Sequence, residues 1–150
     1  RQYGGDPARV AISGWSYGGF MTAFALTHST KFALGLAGAG VYDWRLYDTI
    51  YTERYMRTPQ NNPEGYELSS CIPAARNLHG HLLILHGTMD DNVHVQQTWA
   101  FVDALVGAGK QFDLMIYPMR KHGIRDDEAQ AHLYKTMLEF WQENARRTAD

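Results

Sequence analysis

"VAISGWSYGGFMTAFALTH", Val10 to His28, sets a short apolar run against a Gly-x-Ser-x-Gly turn and follows it with a longer apolar run. Asp6-Pro7 marks a turn before it, and Val10, Ala11, Ile12 and Ser13 read as a buried strand that should stop at Gly14. From Gly18 the residues are apolar nearly all round, the composition of a helix enclosed by a larger body. A serine hydroxyl is a poor nucleophile until a base takes its proton and a tight turn lifts it clear of the sheet. Gly14, Ser16 and Gly18 meet the second of these requirements, because the glycines permit a cramped turn and the helix start brings free N–H groups beside the reacting oxygen. The five-residue pattern is weak alone. A strand before it and a helix after it give it weight.

Beyond His28 the alternation continues. "FALGLAGAGVYD", Phe32 to Asp43, reads as a short strand with close backbone neighbours, and Trp44 to Tyr66 as an irregular, aromatic-rich insertion. "HLLILHG", His81 to Gly87, is an unbroken Leu/Ile run ended by glycine, the clearest buried strand. Val95, Trp99, Val102 and Val106 recur at helical spacing, with Gly107 and Gly109 as the stop, and Phe112 to Pro118 forms the next strand. Leu133, Met137, Phe140 and Trp141 share one face of a last helix, behind Asp126, Asp127 and Glu128, charges that favour a helix N-terminus. Such alternation argues an α/β fold, a parallel sheet covered by helices.

If Ser16 is a nucleophile, an acid and then a histidine should follow on loops after later strands. The loop "HGTMDDNVH", His86 to His94, offers Asp90 and Asp91; Asp91 also suits the cap of a helix beginning near Val93, which leaves one of the pair structural. "YPMRKHGI" offers His122. His132 lies beside the apolar face of the last helix, His86 ends a buried strand, and His28, His79, His81 and His94 lie off the required loop.

Composition narrows the classes. With 150 residues, 45% hydrophobic and 20% charged, the chain suits one globular domain with a real core. A net charge of -2 without runs of Lys or Arg gives no footprint for nucleic acid or an anionic membrane surface. The apolar stretches break well before the roughly 20 residues of a membrane span. Cys71 stands alone, so it forms no internal disulfide, and no His/Cys spacing suggests zinc; neither a metal nor an organic cofactor is implied. Cys71 is expected to be a packed or half-exposed thiol.

"GWSYGG", "YDTIYTERYM", "HGTMDDNVH" and "HGI" together resemble the catalytic domain of the prolyl oligopeptidase family, in its dipeptidyl peptidase IV branch, from Asp6 to the last helix. The resemblance implies that residues 1–150 are the C-terminal half of an α/β-hydrolase fold, with further strands and a β-propeller upstream. It implies a serine exopeptidase that releases X-Pro or X-Ala dipeptides through an acyl-enzyme. Ser16, Asp90 and His122 would be catalytic, and the Tyr17 backbone N–H one oxyanion donor. Tyr17, Val41, Trp44, Tyr47, Tyr51 and Val93 would line a proline pocket, and Asn92 would hold a substrate carbonyl. Flat aromatic walls fit a small rigid ring and a carboxamide orients a peptide group, although the same aromatics read alone as core.

The second oxyanion donor, a tyrosine hydroxyl, and the glutamate pair that captures a free amino terminus are expected upstream of Arg1; Glu53, Glu64 and Glu67 do not replace that pair. The strand near Val10 would then present an open edge. Little or no activity is expected from residues 1–150 alone. An acylaminoacyl-releasing or prolyl oligopeptidase-type hydrolase is the near alternative, and a catalytically silent binding homologue the distant one. The compartment stays open. Such relatives are often dimers, which leaves Phe140 and Trp141 as contact or core residues.

Overall fold

The computed structural model describes Asp6 and residues 9–147, with side chains through Asn144. Four parallel strands lie side by side in chain order: β1 (Ala11–Trp15), β2 (Leu34–Gly38), β3 (His81–Gly87) and β4 (Asp113–Tyr117). Trp15 pairs with Gly38, Gly38 with Leu85, and Gly87 with Tyr117, so the carboxyl ends of the strands line up. The loops after β1, β3 and β4 therefore leave from the same end of the sheet, where α/β folds gather their functional groups.

Alternation along the strands makes two apolar layers. Leu82 and Ile84 of β3 face Phe20, Ala23 and Leu26 of α1 (Tyr17–His28) and Phe101 and Leu105 of α5 (Gln96–Gly107). Leu83 and Leu85 point the other way, toward Leu36, Ile124 and residues Leu133 and Phe140 of α6 (Asp127–Arg147). Phe140 is buried in this second layer, and the half-buried Trp141 packs beside it, ring centroids 5.4 Å apart. Among the described residues no helix is long and apolar enough to cross a membrane.

Several elements depart from the sequence reading. β1 continues through Gly14 to Trp15, and β2 occupies only the centre of the run from Phe32 to Asp43. The aromatic insertion is helical: α2 (Thr49–Met56), α3 (Pro63–Ser69) and α4 (Cys71–Ala74) are joined to short 3-10 turns at Trp44–Leu46 and Ala75–Asn77. Side-chain caps start these short helices. Asp48 accepts from the Tyr51 N–H at 2.8 Å, and Asn62 accepts from Gly65 at 3.2 Å with Pro63 in the first helical position.

The inward face of α5 is not the expected valine stripe. Gln97, Thr98, Phe101 and Leu105 are buried, whereas Trp99 and Val106 are exposed. Two polar residues turn inward because they have partners there. Gln97 Oε1 accepts from the backbone N–H groups of Tyr42 and Asp43, each at 2.9 Å, and its Nε2 donates to the Asp43 carbonyl at 3.0 Å. Thr98 pairs with His86.

Cys71 is fully buried in the first layer, and burial, aided by the Asp43 carboxylate, pushes its thiol up to about 12. The thiolate is the reactive form, so a maleimide at pH 8 is expected to leave the native chain unlabelled and to modify it after denaturation. Rapid labelling of the native chain would contradict this placement.

Candidate active site

Ser16 stands between β1 and α1 with φ 59° and ψ -117°, a left-handed conformation that a side-chain-bearing residue rarely holds. Its N–H donates to the Gly38 carbonyl at 2.8 Å, and its own carbonyl receives the Phe20 N–H at 3.0 Å. The hydroxyl does not cap α1, whose first N–H groups have no helical acceptor. Glycine is required on either side for close approach. A Cβ on Gly14 would lie 2.5 Å from the Gly18 carbonyl group, and one on Gly19 would run into the Gly38 carbonyl oxygen. Gly18 itself has open space, so the crowding falls at Gly14 and at Gly19, one residue beyond the motif.

The loops after β3 and β4 meet at Asp90. Its Oδ2 accepts from His122 Nδ1 at 2.6 Å, and its Oδ1 accepts from the N–H groups of Asn92 and Val93 at 3.0 and 2.9 Å. A carboxylate only accepts, so Nδ1 of His122 carries the proton, and Nε2 of the neutral ring is left with a lone pair. Burial pushes the Asp90 carboxyl up, but donors from His122, His86 and the Asn92 N–H outweigh it and hold the group well below the usual carboxylate range. Trp15, next to Ser16, ties the serine turn to the histidine loop: its Nε1 donates to the His122 carbonyl at 2.8 Å.

Asp91 is not the helix cap anticipated for it. It is exposed, with Oδ2 2.7 Å from Lys121 Nζ, and α5 begins later, at Gln96, without a side-chain cap. Asp90 gathers the backbone N–H groups instead. His132 is exposed and 3.2 Å from the Tyr117 hydroxyl, and His28 stacks on Phe24. His86, which the sequence marks only as the end of a buried strand, lies 3.2 Å from Asp90 Oδ2.

A cavity of about 580 Å³ opens beside the serine turn. Tyr17, Trp44 and Tyr51 line it together with Phe20, Thr52, Tyr55, Met56 and Ser69. Trp44 stacks on Tyr51 at 6.0 Å between centroids, and Tyr17 leans on Trp44 at the same distance. Tyr47 packs edge-on against Trp44, and its hydroxyl donates to Asn92 Oδ1 at 2.7 Å. Val41 and Val93 are buried in the first apolar layer behind these walls. Asn92 borders a second cavity of about 560 Å³ that it shares with His122. The lining residues absent from the sequence reading include Thr52, Tyr55 and Met56. Tyr51/Tyr55 and Thr52/Met56 repeat every four residues, the spacing of one helix face, a signal visible once α2 is recognised as a helix. Among the described residues, no group of three or more His, Cys, Asp or Glu side chains is disposed to hold a metal ion.

A parallel sheet flanked by helices, with a strained serine where its first strand meets a helix, defines an α/β-hydrolase-like domain. The fold matches the crystal structure of Porphyromonas gingivalis dipeptidyl peptidase 4 with a TM-score of 0.91 and 46% identity, over 93% of this chain and 20% of that one. The chain belongs to the prolyl oligopeptidase family, whose model matches residues 1–148. It is 46% identical over 144 residues to a probable dipeptidyl-aminopeptidase B of Coccidioides posadasii and 45% identical over 143 residues to dipeptidyl peptidase 8 of Homo sapiens. Each alignment covers 93% of this chain and 16% of the relative, so the chain spans about a sixth of their length.

Proposed function

We propose that residues 1–150 are the C-terminal part of the hydrolase domain of a longer serine peptidase, which removes X-Pro or X-Ala dipeptides from peptide amino termini. The observation that carries the chemistry is the 2.6 Å bond from His122 to Asp90, on loops that leave the same end of the sheet as Ser16. In this reading His122 Nε2 takes the Ser16 proton as Oγ attacks the scissile carbonyl, and the Tyr17 N–H receives the developing oxyanion. The imidazolium, stabilised by Asp90, then protonates the leaving amine; water attacks the acyl-enzyme by the same route and frees the dipeptide.

Tyr17, Trp44 and Tyr51 take the proline ring between flat walls, with Tyr47, Val41 and Val93 supporting them. The Tyr47 hydroxyl occupies Asn92 Oδ1, which leaves the Asn92 NH2 to donate to a substrate carbonyl. The names of the relatives, dipeptidyl-aminopeptidase B and dipeptidyl peptidase 8, favour dipeptide release over the acylaminoacyl-releasing alternative. Capture of the free amine and the second oxyanion donor fall to upstream segments. Loss of one such donor costs about 2.7–4 kcal/mol of transition-state stabilisation, so residues 1–150 alone should turn over little substrate.

The full-length chain is expected to cleave a Gly-Pro amide reporter and to cleave its N-acetylated form at least about a hundredfold more slowly, because a site built to hydrogen-bond a free amine rejects an analogue whose amine is blocked. Preference for the blocked reporter would move the assignment to an acylaminoacyl-releasing enzyme. Folded protein that cleaves neither would leave the silent binding homologue.

A further inference from the structure

We infer that His86, held in one tautomer by the Val93 carbonyl and anchored at its other edge by Thr98, positions Asp90 for its bond to His122; the inference rests on the reading of Asp90 as the catalytic acid. His86 ends β3 and is fully buried. Its Nδ1 is 2.7 Å from Thr98 Oγ1 on the first turn of α5, and its Nε2 is 2.7 Å from the Val93 carbonyl. A carbonyl only accepts, so Nε2 carries a proton, and Nδ1 of the neutral ring accepts from the Thr98 hydroxyl.

That Nε2–H edge also faces Asp90 Oδ2 at 3.2 Å, the oxygen that takes the His122 proton. The other Asp90 oxygen is tied to the N–H groups of Asn92 and Val93. Residues 90–93 are thus closed into a ring of contacts around one imidazole edge. The carboxylate is held by contacts that do not depend on His122. If the Thr98 hydroxyl is lost, Nδ1 has no donor in the interior and the imidazole is anchored at its Nε2 edge alone. The ring then turns about its bond to the Val93 carbonyl, the Nε2–H edge leaves Asp90 Oδ2, and the carboxylate loses one of the contacts that aim it at His122. His86 touches no substrate in this scheme; it is a positioning residue.

The test uses the full-length chain with a Gly-Pro amide reporter, and follows the strongly deshielded proton resonance of His122 Nδ1–H. Thr98→Val is expected to lower kcat about tenfold with KM within twofold, because a small displacement of a catalytic group is amplified in rate, and to move that resonance. Thr98→Ser, which restores the hydroxyl, should return both toward the parent. Should the valine variant fail to fold, Thr98→Ala is read by the same criteria. A lowered melting temperature with kcat and the resonance unchanged would overturn the inference and make His86 a merely satisfied core histidine. Asp90→Asn is run alongside: if it too keeps full activity, the acid assignment itself is wrong, whereas its inactivity beside an unaffected Thr98→Val sinks only the role of His86.

Discussion

Ser16→Ala in the full-length chain is expected to abolish labelling by a fluorophosphonate probe and to lower reporter turnover about 10,000-fold or more, with the fold intact. The probe reacts with a serine only where a base and an oxyanion site are assembled, so it reads the site without needing the substrate pocket. Stability should hardly change, because the Ser16 hydroxyl caps no helix, and alanine at φ 59° is as strained as serine. Ser16→Gly separates the two effects. Glycine adopts that conformation freely, so this variant should be as inactive as alanine yet more stable than the parent by about 1 kcal/mol in thermal unfolding. Such a pair of results would mean that strain is held at Ser16 for the sake of presenting its oxygen. Labelling that persists in Ser16→Ala would remove Ser16 as the nucleophile. Labelling of a longer chain but not of residues 1–150 would show that upstream segments complete the site.

The sheet was legible because its strands are short apolar runs, two of which, β2 and β3, are buried and end on glycine. His81 to Gly87 is a strand over its whole apolar run. Ser16 and His122 stood out as candidates because each lies on a loop that follows such a run. Features decided by polar contacts were harder to see. The composition of α5 gave no reason to turn Gln97 inward rather than Trp99; the reason lies 54 residues away, in the Asp43 backbone that Gln97 satisfies. The aromatics of α2 concealed a helix whose start is signalled only by Asp48. Asp90 and Asp91 are equal as letters, and the pairing of Asp91 with Lys121 is a contact between loops. The resemblance chose between them where the residues alone did not. The pocket was half legible for the same reason: Trp44 and Tyr51 were marked by type, whereas Thr52 and Met56 depend on the helix that carries them.

Asp90→Asn tests that choice, and its expected effect is a fall in kcat of about 10,000-fold with a measurable loss of stability. The carboxylate faces donors on both oxygens: His122 Nδ1 and the His86 Nε2 edge at Oδ2, and the Asn92 and Val93 N–H groups at Oδ1. An asparagine must place its NH2 at one position or the other, so a donor meets donors in either orientation. With the NH2 toward His122, the ring is driven to the tautomer with its proton on Nε2, and no lone pair remains to take the Ser16 proton. With the NH2 toward the backbone, the turn from Asp90 to Val93 opens and carries Asn92 with it. Asp91→Asn, by contrast, loses one exposed ion pair and should leave turnover within twofold, since such pairs contribute little. The pH dependence of stability gives an independent reading. Because the folded Asp90 carboxyl lies below its unfolded value of roughly 3.9, its contribution is fully present above that pH and is lost as pH falls through the folded value. The stability gap between the parent and Asp90→Asn is therefore expected to narrow as pH falls below the unfolded carboxylate value. A gap that does not narrow there would remove the low-lying carboxyl from Asp90, and an Asp91→Asn variant that loses activity in place of Asp90→Asn would assign the acid to Asp91.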